Sequence, residues 1–303
     1  MTSTTLGASL ALATAAFWAI SPFCFASASR KIGSMAVAVL RVVIAMFLLA
    51  VVLSVRVWLT KSPIHFPGAM AMTLTIASGI IGMGLGDLMG YEAFLVAGVQ
   101  RTTLISTLAP VAAVIAAWLG FGETLGVREL AGIALVIAGT AFALDGRYDA
   151  KESRAAPDRK GILLAVGSAV CMGLGAVTVR WAYHYEPRLD PVVATTLRVA
   201  SAAVFLTAIS PLLRCNLTHA ARTAGGHTWS RIVMGTLAGP FGGMLCYVTA
   251  LSLISAGLCS ALASASPLFV LAIAALRFRK APTPLALFAS VIAVIGVVVL
   301  MVK

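Results

Sequence analysis

Long apolar stretches alternate with short polar segments along the chain. Most of the apolar stretches approach or exceed the roughly 20 residues that a helix needs to cross a bilayer core. The first stretch has no early basic residue and carries Trp18 and Pro22 where a cleavable signal peptide would end in small residues, so we expect it to be a mature span. The pattern predicts ten transmembrane helices, over residues 6–28, 34–56, 67–97, 102–120, 127–145, 161–182, 191–213, 230–253, 257–276 and 284–302.

The composition agrees with a membrane protein. Of the 303 residues, 60% are hydrophobic and 11% are charged, against about a quarter charged in an ordinary soluble domain. The five cysteines and four histidines show no spacing typical of a disulfide framework or a metal site, so neither a metal nor a cofactor is expected. The predicted partners are a small-molecule substrate and the lipid bilayer, with a monomeric chain.

The formal charge of +12 comes from basic residues in the short loops, where they set topology and attract anionic head groups, so no nucleic-acid partner is expected. The two ends of the predicted helices differ in Lys and Arg, 14 against 6. The richer end would lie in the cytoplasm by the positive-inside rule, with both termini in the periplasm of a bacterial inner membrane. The richer end holds Arg30, Lys31, Arg101, Arg147, Lys151, Arg154, Arg159, Lys160, Arg214, Arg222, Arg231, Arg277, Arg279 and Lys280, and the poorer end Arg56, Lys61, Arg128, Arg180, Arg188 and Lys303.

The second half of the chain repeats the first at an offset of 157 residues, so that Leu40-Arg41-Val42 returns as Leu197-Arg198-Val199. Each half holds five predicted helices, an odd number, so the second copy must be inverted in the membrane. Residues 1–145 would form the first repeat, 146–160 a linker and 161–303 the second repeat. Inverted repeats are typical of secondary transporters, whose substrate site lies near the midplane between the halves. Other matches are Thr103 with Ser260, Thr107 with Ser264, Pro110 with Pro267, Gly139 with Gly296, and the glycine ladders Gly82-Gly86-Gly90 and Gly235-Gly239-Gly243.

Several motifs in this order resemble the drug/metabolite transporter superfamily, and within it the ten-helix EamA-type exporters. They are Phe17-Trp18, Leu40-Arg41, the Ser/Thr-rich run ending in Pro110, and Phe121-Gly122-Glu123-Thr124-Leu125. Arg279-Lys280 departs from the family, which often has an acidic residue there, so a symmetric role for Glu123 is in doubt. The resemblance implies an all-α exporter of small metabolites, and the chain looks most like bacterial amino-acid exporters.

Thr103, Ser106 and Thr107, with Pro110, form one polar stripe on the fourth predicted helix, and Ser260, Ser264 and Pro267 repeat it on the ninth. A proline inside a helix frees the carbonyl four residues earlier. The stripes could therefore line a wet substrate cavity, with the prolines as kinks or gates. They could equally be packing surfaces whose hydroxyls bond back to their own helix.

Four charged residues within the predicted spans are candidates for a role in transport. Asp87 and Glu92 of the third span are candidates for binding a substrate ammonium or carrying a proton, because insertion of an acid costs roughly 3 kcal/mol. Glu92 could instead lie at the interface. Arg41 and Arg198 are shallow enough to snorkel, or they could pair with a substrate carboxylate or with an acid in the other half.

Trp18, Tyr91 and Tyr247 lie inside spans and could present flat apolar surface with a polar edge to a ligand. The leading hypothesis is a secondary exporter of aromatic or neutral amino acids that works by alternating access. The alternative is a nucleotide-sugar or sugar-phosphate carrier of the same superfamily. An intramembrane enzyme is disfavoured because Asp87 and Glu92 are the only acids within the span interiors, and no Walker sequence is present to hydrolyse ATP.

Overall fold

A computed structural model describes residues 3–61, 64–121, 126–142, 158–213, 215–253, 262–263, 265–278 and 282–301. Helices dominate these residues and no strand occurs among them. Six of the helices are individually long and apolar enough to cross a membrane. The helices follow the predicted spans in order and are called the first to tenth spans: Ser3–Ile32; Ser34–Thr60; Ala69–Val96; Val99–Ile105 with Leu108–Phe121; Val127–Ala141; Arg159–Tyr185; Pro191–Ile209; Gly225–Thr236 running through Leu237–Gly243 into Met244–Leu253; Ser266–Phe278; and Pro284–Met301.

The chain is thus an all-α integral membrane protein of two repeats. The sequence pattern did not predict one element, the short helix Leu217–Thr223 between the seventh and eighth spans. Its N-cap is Asn216, whose side chain accepts a hydrogen bond from the His219 backbone at 3.0 Å. Only the later part of the predicted ninth span, residues 257–276, lies within the described residues.

The second and seventh spans lie side by side at the centre. Their contact is formed by small and β-branched side chains that are fully buried, among them Val42, Ala45, Val199 and Ala202. Asp190 fixes the start of the seventh span by accepting hydrogen bonds from the backbone of Val192 and Val193. Such an N-cap satisfies donors that have no partner inside the helix.

The third and eighth spans each contain a π-helical segment, Gly79–Gly86 and Leu237–Gly243. The two segments end at positions 157 residues apart, so the widened turn lies at the corresponding position in the third helix of each repeat. A widened turn displaces carbonyls from the regular ladder, and π segments often occur at functional sites. In both repeats a hydroxyl from a neighbouring span meets the last carbonyl: Ser168 donates to Gly86 at 2.6 Å and Thr14 to Gly243 at 3.3 Å.

The glycine ladders bring helices into close contact, as predicted. A Cβ on Gly175 of the sixth span would come within 2.8 Å of the Cα of Gly82, and one on Gly243 within 2.6 Å of the Trp18 ring of the first span. The third span therefore packs on the sixth and the eighth on the first. This exchange of equivalent contacts is what an inverted repeat requires.

The fifth and tenth spans make a second reciprocal contact. A Cβ on Gly139 would lie 2.6 Å from the Ala293 nitrogen, and one on Gly296 would lie 2.6 Å from the Val136 nitrogen. Each pair of positions maps onto the other at the offset of 157 residues. The atom nearest to the added Cβ is a backbone nitrogen in both cases, and a backbone atom cannot move aside as the end of a flexible side chain can.

We therefore predict that Gly139→Ala and Gly296→Ala each destabilise the protein by about 1–3 kcal/mol, the usual cost of overpacking. Thermal unfolding in detergent measures the effect. Gly226→Ala is the matched control, because a Cβ there meets nothing within 4 Å. A Gly139 or Gly296 variant that unfolds at the same temperature as the control would contradict the predicted close packing.

Candidate functional site

A buried ion pair joins the second and third spans. Arg41 is 3% exposed, and its Nη2 donates to the carboxylate of Asp87 and to the Met83 carbonyl, the latter at 3.4 Å. Asp87 is the first residue after the π segment Gly79–Gly86. The snorkelling position considered for Arg41 is therefore wrong, because the carboxylate holds its side chain between the helices.

Aromatic rings enclose the Arg41 guanidinium. Its carbon lies 5.1 Å from the centroid of the Tyr91 ring and 5.9 Å from that of Phe25. The Phe25 and Tyr91 centroids are 5.2 Å apart, and Phe94 follows at 5.8 Å from Tyr91. A cation over aromatic faces is stabilised by the ring quadrupoles, more strongly where water is excluded.

Among the described residues, the second arginine, Arg198 of the seventh span, has no such carboxylate of its own. Its ionisable neighbours are Tyr183, Tyr247 and Asp87, the acid that already pairs with Arg41. Its Nε is buried and has no hydrogen-bond partner within the described ranges. Gly82 lies beside the guanidinium: a Cβ at that glycine would stand 3.7 Å from Nη2, an ordinary van der Waals distance.

Trp18 and Tyr247 face each other beside Arg198, with ring centroids 5.4 Å apart. Trp18 lies against Gly243 and Tyr247 follows the second π segment. Each repeat thus places a tyrosine of its third helix against an aromatic side chain of the first span, Tyr91 with Phe25 and Tyr247 with Trp18.

Asp87 is partly exposed. Its side chain is 21% exposed although it lies well inside the third span. A carboxylate in contact with hydrocarbon is costly, and ionisable groups in spans face the bundle interior or a water-filled cavity. An orientation toward the bundle interior agrees with its charged neighbours, Arg41 and Arg198.

Glu92, the other charge candidate of the third span, lies apart from the central ion pair. Glu92 lies near the end of the third span, where it accepts a hydrogen bond from Ser34 at 2.7 Å and lies 3.6 Å from the Lys160 Nζ. Ser34 and Lys160 are at the first turns of the second and sixth spans. This position agrees with the alternative interpretation of Glu92, that it lies at the membrane interface.

The hydroxyl stripe of the fourth span is bonded to its own helix. Thr103 donates to the Val99 carbonyl at 2.8 Å, Ser106 to Thr103 at 2.6 Å, and Thr107 to Leu104 at 2.6 Å. These bonds match the packing interpretation rather than the cavity one. The partners Ser260 and Ser264 lie outside the described residues.

Both prolines stand in the first turn of a helix that starts after a break. The fourth span is interrupted at Ser106 and Thr107, and Pro110 is the third residue of Leu108–Phe121. Pro267 is the second residue of Ser266–Phe278. The Ser106 carbonyl, expected to be free, accepts from the Ala109 nitrogen at 3.0 Å. The predicted interruption is present, but it supplies no free carbonyl at Ser106.

The central site therefore consists of Arg41, Asp87, Arg198, Trp18, Tyr91 and Tyr247, with Phe25 and Tyr183 added by the structure. Sequence reasoning missed Phe25, although it lies seven residues from Trp18 and so on the same face of the first span. Tyr183 gave no such signal, because its position near a helix end is typical of an interfacial belt.

An inverted pair of helical repeats with charged and aromatic groups between its spans defines the class as a multi-pass membrane transporter. The chain belongs to the EamA-like transporter family, which matches residues 5–144 and 159–302, one match to each half.

Twenty-four chains of solved structures resemble this one. One crystal structure superposes with a TM-score of 0.66 over 97% of this chain and 94% of that chain, at 16% sequence identity. Identity this low shows a shared fold alone. No curated protein sequence matches the chain.

The buried pair makes a prediction about stability. Asp87→Asn leaves the Arg41 charge without its partner, and removing one member of a buried ion pair costs about 3–5 kcal/mol. Thermal unfolding in detergent should show this loss, and adding Arg41→Gln to Asp87→Asn should recover most of it. Arg198→Gln is the matched control, because Asp87 keeps its partner Arg41 in that variant. Equal melting temperatures for Asp87→Asn and Arg198→Gln would rule out the pair as a stabilising contact.

Proposed function

We propose that the protein exports neutral amino acids, aromatic ones among them, by alternating access of its two repeats around the central site. The observation that carries this proposal is the arrangement of charges: two arginines flank one carboxylate within the membrane-spanning helices. Asp87 compensates one of the two arginines, so one guanidinium charge remains uncompensated. A substrate carboxylate is the group that would compensate it.

The same geometry offers a partner for each part of an amino acid. The Arg198 guanidinium would bind the carboxylate, with its unbonded Nε as one donor. Asp87, which is 21% exposed, would accept the ammonium without leaving Arg41. The Trp18–Tyr247 pair would cover an apolar side chain.

A nucleotide-sugar or sugar-phosphate carrier is the second candidate, favoured by the same excess of positive charge. The two substrate classes differ in the size of the negative charge that the site has to compensate. A phosphate carries up to two negative charges at neutral pH, whereas Arg41 is already engaged by Asp87 and one guanidinium remains. A zwitterion presents one carboxylate to Arg198 and one ammonium to Asp87, whereas a dianion presents a second negative charge and no ammonium for Asp87.

Flux of labelled compounds into liposomes containing the protein separates the two candidates. We expect flux of neutral and aromatic amino acids and none of nucleotide sugars or sugar phosphates. The opposite selectivity would reject the amino-acid proposal and favour the anionic substrates.

Arg198→Gln should weaken amino-acid binding by about 10- to 100-fold, because a hydrogen bond to a charged group is worth about 1.5–3 kcal/mol. Thermal shifts induced by phenylalanine and by phenethylamine, which lacks the carboxylate, measure the contribution of that group. The wild-type protein should bind phenylalanine more tightly than the amine, and the variant should bind both alike. A preference for phenylalanine that survives in Arg198→Gln would exclude Arg198 as the carboxylate ligand.

We further propose that the protein resides in a bacterial inner membrane with residues 146–160 in the cytoplasm and both termini in the periplasm. The 14 to 6 distribution of basic residues supports this orientation. In a variant without native cysteines, Ser153→Cys should resist an impermeant maleimide added to intact spheroplasts and react after lysis. Reaction in intact spheroplasts would reverse the orientation.

A further inference from the structure

The two helices that carry the central arginines are each held at their first turn by a polar contact. Ser34 begins the second span and donates to Glu92. Asp190 caps the seventh span and pairs with Arg56. Arg41 and Arg198 each follow the first helical residue by seven positions, which is about 10 Å along the axis.

We call the membrane face that holds Ser34, Glu92 and Lys160 the linker face, and the face that holds Arg56, Gly68, Glu186 and Asp190 the opposite face. The two helices run in opposite directions because the repeat is inverted. Their first turns, and the contacts on them, therefore lie at opposite ends of the path through the centre.

The linker-face contact joins the two halves of the chain. Glu92 lies near the end of the third span, in the first half, and its carboxylate lies 3.6 Å from Nζ of Lys160, at the start of the sixth span in the second half. Its other oxygen accepts the Ser34 hydroxyl at 2.7 Å. One carboxylate thereby ties together the second, third and sixth spans.

The opposite-face contact also joins the halves. Arg56 reaches from the last turns of the second span to Asp190, and the Gly68 nitrogen donates to Glu186 Oε2 at 2.7 Å. A cavity of about 260 Å³ adjoins these groups and brings solvent to the ion pair. It is lined by Arg56, His65, Glu186, Arg188 and Asp190 together with apolar side chains.

We infer that these two contacts are alternate gates. The linker-face contact opens in one half of the transport cycle, and the opposite-face contact opens in the other half. Opening a path at one face requires the two halves to part there, and each contact ties the halves at one face. Arg56 and Asp190 are 48% and 24% exposed, and ion pairs with this much solvent contribute little stability. They can break repeatedly, unlike the buried Arg41–Asp87 pair.

A labelling experiment tests this inference. Met244→Cys, in a protein without native cysteines, places one thiol at the position equivalent to Asp87 in the second repeat. Its reaction with an impermeant maleimide is then followed from each face in right-side-out and inside-out vesicles. Neutralising one gate should shift the ratio of the two labelling rates about two- to fivefold toward that face, the size expected for an exposed ion pair.

Glu92→Gln should increase labelling from the linker face relative to the opposite face, and Arg56→Gln and Asp190→Asn should do the reverse. Asn retains the cap on the seventh span. The double variant Arg56→Gln/Asp190→Asn should shift the ratio no further than either single change, because one contact is lost in each case. Arg180→Gln, an exposed basic residue near the opposite face, is the matched control and should leave the ratio unchanged.

Shifts in the same direction from Glu92→Gln and Arg56→Gln, or none beyond that of the control, would overturn the inference. The gates rest on the alternating access proposed above, yet the labelling needs no substrate. A wrong substrate class would therefore leave the labelling result intact, and a failure of the gates would leave the binding measurements intact.

Discussion

The cost of holding arginine side chains inside a bilayer constrains the rest of this structure. A guanidinium cannot be neutralised by losing a proton, so Arg41 and Arg198 need partners or water. For Arg41, Asp87 supplies the opposite charge, and the rings of Tyr91 and Phe25 cover the cation. The third span has to approach the second closely for this pairing, and the first span has to stand beside both.

Glycine and the π segments provide that approach. Gly82 packs on Gly175 beside the Arg198 guanidinium, while the widened turn Gly79–Gly86 ends directly before Asp87. The hydroxyl of Ser168 meets the Gly86 carbonyl, so a polar group displaced from the ladder is satisfied where lipid could not satisfy it. Close packing and the charged centre thus depend on the same turns of the same helices.

These relations also explain how far sequence reasoning reached. The ten spans and the repeat follow from hydropathy and from matches such as Arg41 with Arg198, and the glycine ladders correctly predicted close helix contacts. Pairing of Arg41 with Asp87, 46 residues apart, depends on how two helices are rotated about their axes, which hydropathy does not determine. The hydroxyls of Thr103 and Thr107 could line a cavity or donate to carbonyls of their own helix. The sequence spacing of these residues is the same in both cases, so it could not decide between them.

The symmetry of the fold and the asymmetry of its charge have different consequences. Arg41 and Arg198 repeat, and each has a tyrosine of its own half nearby, but Asp87 is matched by Met244 at the offset of 157 residues. A second carboxylate at that position would compensate the second arginine as the first is compensated, and no cation would remain for an anionic group. Among the described residues, the single unmatched acid therefore leaves the centre with one guanidinium that has no carboxylate of its own and one partly exposed carboxylate, and these two groups can pair with the carboxylate and the ammonium of a zwitterion.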